Sequence, residues 1–234
     1  MAVGNYYLIT ALPSLGDLGS MPPIAPADLV DHVAGAGARE PVEMVLLSDD
    51  LLQRDAFLAG ELEQPEPAVL TRVQVQDEEP MPPYLATEAD EASGRNRPAS
   101  DAVWEAYFRC AAEVARRRSS DFLAAWVGYE VALRNALAVA RAKALDLDPD
   151  AYTVAADLAD RDADFQTLLS EWADAENPLE GLRVLDRARW QWLAEHDAHF
   201  TFADDELAAY AAKLMLLMRW HRLEQAEKEA DKEH

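Results

Sequence analysis

The chain has 234 residues, half of them hydrophobic, and its 44 acidic and 21 basic side chains leave a formal charge of −23. It is long enough to bury a substantial core, although much of the apolar fraction is alanine, which favours helix and covers little area per residue. A surface this negative repels nucleic-acid phosphates and anionic headgroups, so no nucleic-acid partner is expected; basic protein surfaces suit it better, unless the acidity serves solubility alone.

Only 9 glycines occur, and long β-branched runs are absent, which points to helices rather than a sheet. Cys110 is the single cysteine, so an intramolecular disulfide and a thiolate zinc site are ruled out. Its neighbours Phe108, Ala111 and Ala112 mark it as a small buried apolar residue. The stretch from Met1 to Leu18 lacks the basic start of a signal peptide, and Pro13 and two glycines interrupt it. No run approaches the ~18–20 consecutive apolar residues of a membrane span. The protein is therefore expected in the cytoplasm, without inserting into a membrane.

In chain order, Asn5 to Leu15 (NYYLITALPSL) is a short apolar element, helix or strand, stopped by Pro13. Ala27 to Ala36 reads as a short helix after Pro26, and Pro41 opens a better one to about Leu62, with Val45, Leu47, Leu51, Leu52, Phe57 and Leu58 as its stripe. Residues 1–62 thus form an N-terminal helical segment. Residues 63–100 are rich in proline, acid and small polar residues, a composition that packs no core, and read as a linker or excursion with Val69 to Val75 extended.

Residues 101–234 form the main bundle, one compact domain together with 1–62. Ser100 and Asp101 cap a helix carrying Trp104, Tyr107 and Phe108 and ending in Arg116, Arg117 and Arg118. Ser119, Ser120 and Asp121 cap the next, which runs to Leu145 with two adjoining apolar stripes and is expected to be the core helix. Acidic helices are expected at Asp150 to Leu158 and Asp164 to Ala175. Pro178 opens another, and Ala203 to Lys228 closes the chain. The fold class is all-α, a multi-helix bundle with a long acidic, proline-rich loop.

Chemistry-bearing constellations are few. Asp160, Asp162, Asp164 and Glu171 match the acidic spacing of a calcium loop, but Phe165 stands where a sharp turn needs glycine, which favours an acid-rich helix start. His196 and His199 share a spacing of three, which alone is unspecific and fits a polar turn between helices. His32 and His221 are lone histidines. No Glu-x-x-His pair, nucleophile elbow or phosphate-cradling loop occurs, so no catalytic, cofactor-binding or metal site is assigned and no small-molecule substrate is expected. Glu130, Arg134 and Asn135 are polar within the most apolar helix. Glu130 and Arg134, four apart, are placed to pair along it, and with neighbouring helices these residues set the bundle's register.

Three segments, YYLITALPSL (6–15), WVGYEVALRNALAVARAKAL (126–145) and LAAYAAKLMLLMRW (207–220), resemble a short bacterial form of the C-type central-stalk subunit family of V-type ATPases and ATP synthases, known as the d-type in eukaryotes. Tyr6, Tyr7, Leu12 and Pro13, with Tyr129, Arg134, Asn135 and Arg141, carry most of the likeness. The resemblance implies a helical socket on the cytoplasmic face of the membrane, between the axle subunits and the proteolipid ring, passing torque during ion transport without cofactor or catalysis. This chain is shorter than the full-length members of that family. A general helical adaptor for an unrelated basic partner, and a bundle binding metal through acidic residues, are the alternatives.

Overall fold

The computed structural model describes residues 5–86, 99–197 and 200–230. Among them are nine α-helices and no strand: α1 (Asn5–Ala11), α2 (Pro26–His32), α3 (Arg39–Leu58), α4 (Arg72–Val75), α5 (Ala99–Arg118), α6 (Asp121–Ala144), α7 (Gln166–Ala173), α8 (Pro178–Glu195) and α9 (Asp204–Ala230). The protein is all-α, as its composition and periodicity require.

The centre of the bundle is α9, not α6 as the apolar stripes suggest. From Leu207 to Leu217 every residue of α9 except Tyr210 and Lys213 is buried, and α3, α8, α6, α2 and α1 all pack against it. A helix apolar all round belongs in the middle, and Ala208, Ala209, Ala211 and Ala212 let neighbours approach it closely. In α6 one broad face is buried from Phe122 through Leu133, whereas the second half is mostly half-exposed. Among the described residues α6 alone is long and apolar enough to cross a membrane, but its first half is core, and its Glu130 and Arg134 are met by α8 and α5.

Several boundaries follow from local chemistry. In α3, Pro41 lies in the first turn, where its missing N–H costs nothing. Ser119 ends α5 in a left-handed conformation (φ 53°), and the Ser120 hydroxyl oxygen accepts the Leu123 N–H to start α6. Asp205 of α9 then accepts the Ser120 hydroxyl at 2.5 Å and the Phe122 N–H at 3.2 Å, tying the α5–α6 corner to the central helix.

Four further expectations are corrected. Val69 to Val75 is not extended: the Asp50 carboxylate accepts the N–H groups of Ala68, Val69 and Leu70, each at 2.8 Å, and Thr71 with Gln74 then caps α4. The excursion also contributes to the core, since Leu70, Val75 and Leu85 are buried against the bundle; residues 87–98 of it lie outside the described residues. Asp150 to Leu158 forms only two 3₁₀ turns, Pro149–Ala151 and Ala156–Leu158, because the Asn135 amide takes both the N–H and the C=O of Val154 and keeps them from a helical ladder. Asp164 precedes α7 rather than joining it, its carboxylate accepting the Gln166 N–H.

Candidate functional site

A cleft of about 810 Å³ opens between α3, α5, α6, α8 and α9. Its walls are largely apolar, with Leu52, Trp104, Phe108, Trp126, Leu137, Leu185 and Met215 among them, and α6 lines it from Trp126 to Ala142. This size, with apolar walls and a few converging polar groups, is that of a binding site.

The polar part is a continuous ion ladder along the cleft. Glu130 of α6 receives two bonds from Arg189 of α8, at 2.7 and 3.1 Å. Arg189 also meets Asp186 at 3.2 Å, and Asp186 meets Arg219 of α9 at 3.1 Å. Arg219 reaches Asp49 of α3 at 3.3 Å, and Asp49 binds Arg222 at 2.6 Å and the Gln53 amide at 2.9 Å. Burial works against the Asp49 charge, yet Arg222 and Arg219 hold its carboxyl below the ordinary range. Burial likewise opposes the Arg189 charge, and Glu130 with Asp186 still keeps its pKa above the usual value. Alternating charges thus join four helices. Beside them, Asp186 Oδ2 and Trp126 Nε1 are buried without a partner among the described residues.

Glu130 and Arg134 do not pair along α6. Glu130 turns to α8, while Arg134 crosses to Asp101 of α5 at 3.3 Å and lies over the Trp104 ring at 4.4 Å. Burial lowers the Arg134 pKa more than its carboxylate neighbours raise it. Arg141 is exposed and sits over Trp172 at 5.1 Å. These three residues line the cleft. Of the other two residues singled out in this helix, Tyr129 stacks on Trp192 with ring centroids 5.0 Å apart, and Asn135 pins the irregular segment through Val154. The α8 and α9 side of the ladder escapes a reading by sequence alone. The Asp49–Asp50 pair, set inside the apolar run VLLSDDLL, is a visible signal for it; Arg189 has none.

In α1, Tyr6 and Tyr7 are exposed, and Leu12 just past its end packs against the core. The Tyr210 hydroxyl donates to the Pro13 carbonyl at 2.9 Å, so the first and last of the three resembling segments touch. Cys110 is half-buried rather than buried, and burial pushes its thiol pKa up. The carboxylates of Asp160 and Asp164 accept backbone N–H groups two residues on, as turn-formers, and Glu171 lies exposed on α7. His196 stacks on Trp192 at 3.9 Å, while His199 lies outside the described residues. His32 meets the Leu8 carbonyl, and His221 meets Gln225. Among the described residues, no three His, Cys, Asp or Glu side chains are arranged to hold a metal ion.

No curated protein and no solved structure matches the chain. The matched family region spans residues 78–233, more than half of the sequence, and takes in α5 to α9 but not α3, which supplies Asp49 to the ladder. The chain belongs to the family described as "Protein of unknown function (DUF2764)".

Proposed function

We propose that this chain is a non-catalytic connector in the central stalk of a V-type ATPase or ATP synthase, peripheral on the cytoplasmic face of the membrane and coupling the axle subunits to the proteolipid ring. The observation that carries the reading is the open cleft, walled by five helices and braced along its length by the ion ladder. A part that transmits torque must seat a partner and resist shear. Apolar packing alone lets helices slide between neighbouring arrangements, whereas the alternating Glu130–Arg189–Asp186–Arg219–Asp49–Arg222 contacts favour one register. The likeness in the three sequence segments supplies the identity of the machine.

Affinity purification of the full chain from its host, with identification of bound subunits, tests this. Axle subunits and the proteolipid ring are expected to co-purify. A fully coupled ATPase complex isolated without this chain overturns the proposal, and a different set of partners favours the general adaptor.

A further inference from the structure

We propose that the cleft seats an amphipathic helix of the partner, whose apolar face is flanked by two carboxylates seven residues apart that meet Arg134 and Arg141. The stalk reading enters only in naming the protein that supplies this helix.

The shape comes first. From Trp126 to Ala142 the cleft-lining length of α6 is roughly 24 Å at 1.5 Å per residue, a groove as long as a helix of more than four turns. Its volume of about 810 Å³ takes the apolar side chains of one helical face rather than a whole helix.

Charge then selects the occupant. Arg189, Arg219 and Arg222 are held by Glu130, Asp186 and Asp49. Arg134 has one carboxylate contact, at 3.3 Å, and Arg141 has none within ion-pair distance among the described residues, only the Trp172 ring. Both arginines line the cleft. Seven residues apart on α6, they lie on one face about 10 Å from each other, the spacing of carboxylates at i and i+7 on a docked helix. Asp55 and Glu130 add to the field at Arg134 from beyond ion-pair distance, and Arg141 is left without such a neighbour among the described residues. Asp55 accepts the Ser100 hydroxyl at 2.7 Å and the Trp104 indole N–H at 2.8 Å, and Glu61 is exposed beyond the end of α3. With a net charge of −23, the rest of the molecule repels an acidic helix, so these arginines also discriminate where it docks.

The test places photoreactive benzoylphenylalanine at Ala138, a half-buried cleft residue outside the ladder, in the full chain in its host. Crosslinked peptides are sequenced. One apolar segment with carboxylates seven residues apart is expected. Arg141→Glu, with the thermal midpoint read alongside because Arg141 also covers Trp172, is expected to cut crosslinking and complex recovery at least about tenfold, and replacing the facing partner carboxylate with arginine restores both. Three results overturn the inference: no crosslink from position 138, a crosslinked segment without that acidic spacing, or Arg141→Glu binding as well as the parent. If the segment fits but belongs to a protein outside the ATPase, the docking mode stands and the stalk reading falls. If stalk subunits bind yet crosslink only away from the cleft, the stalk reading stands and the docking mode falls.

Discussion

Asp49 and Asp50 are sequence neighbours in α3 and both buried, yet their surroundings push them in opposite directions. Asp49 faces two arginines and stays ionised. Asp50 faces three backbone amides and no cation, so burial outweighs the hydrogen bonds and pushes its pKa up to about 7. Because the folded value lies above the unfolded one, the folded state holds the extra proton between about pH 4 and pH 7. Stability contributed by Asp50 is therefore full below that window and is lost as pH rises through 7. Asp50→Asn removes this dependence and leaves one amide opposite the N–H cluster. The unfolding free energy of the parent, measured by urea titration, is expected to rise by about 2–3 kcal/mol relative to that of Asp50→Asn from pH 8 to pH 5. A gap independent of pH would show that the three amides keep the carboxylate ionised throughout.

At the scale of elements, most helices were legible from periodicity and caps, because those signals act over one or two turns. Two of the misses share a cause: a distant side chain claims a backbone group. Asn135 does this to Val154, nineteen residues on, and Asp50 does it to residues 68 to 70. No local pattern reveals such a bond. The pairing of α3 with α5 is another case. The Arg117–Arg118 cluster reads as a helix-dipole complement, but it also clamps Glu40 at the start of α3, with Arg118 at 2.5 Å. Hydrogen bonds from Arg118 and then Arg117 hold the Glu40 carboxyl down at about 2. Its contribution is thus present above pH 4.5 and disappears as pH falls towards 2. The clamp is partly exposed, so Glu40→Gln is expected to cost only about 0.5–1 kcal/mol at pH 7 in low salt, less in 0.5 M salt, and nothing near pH 2. Thermal melts across pH and salt check this.

For the whole molecule, the ion ladder is the feature on which the bundle's arrangement turns. Asp49 is its most connected acid, holding α3 to α9 through Arg219 and Arg222. Asp49→Ala leaves Arg222 without its carboxylate and Arg219 with Asp186 alone. It is expected to destabilise the protein by about 3–5 kcal/mol, read by denaturant unfolding, and to raise amide exchange in α3, α8 and α9 together. Exchange rising in α3 alone would mean that the ladder does not couple these helices.

The amino-acid sequence by itself determined that this protein is helical, acidic and, over these 234 residues, without an internal disulfide, since composition, apolar spacing and one cysteine act without reference to distant residues. It also marked Glu130, Arg134 and Asn135 as out of place in an apolar helix. Which helix lies at the centre, which arginine meets which carboxylate, and where a cleft is left open were decided only by tertiary packing. Burial and charge pairing are properties of surfaces brought together, and α9 outranks α6 because alanines admit five neighbours around it.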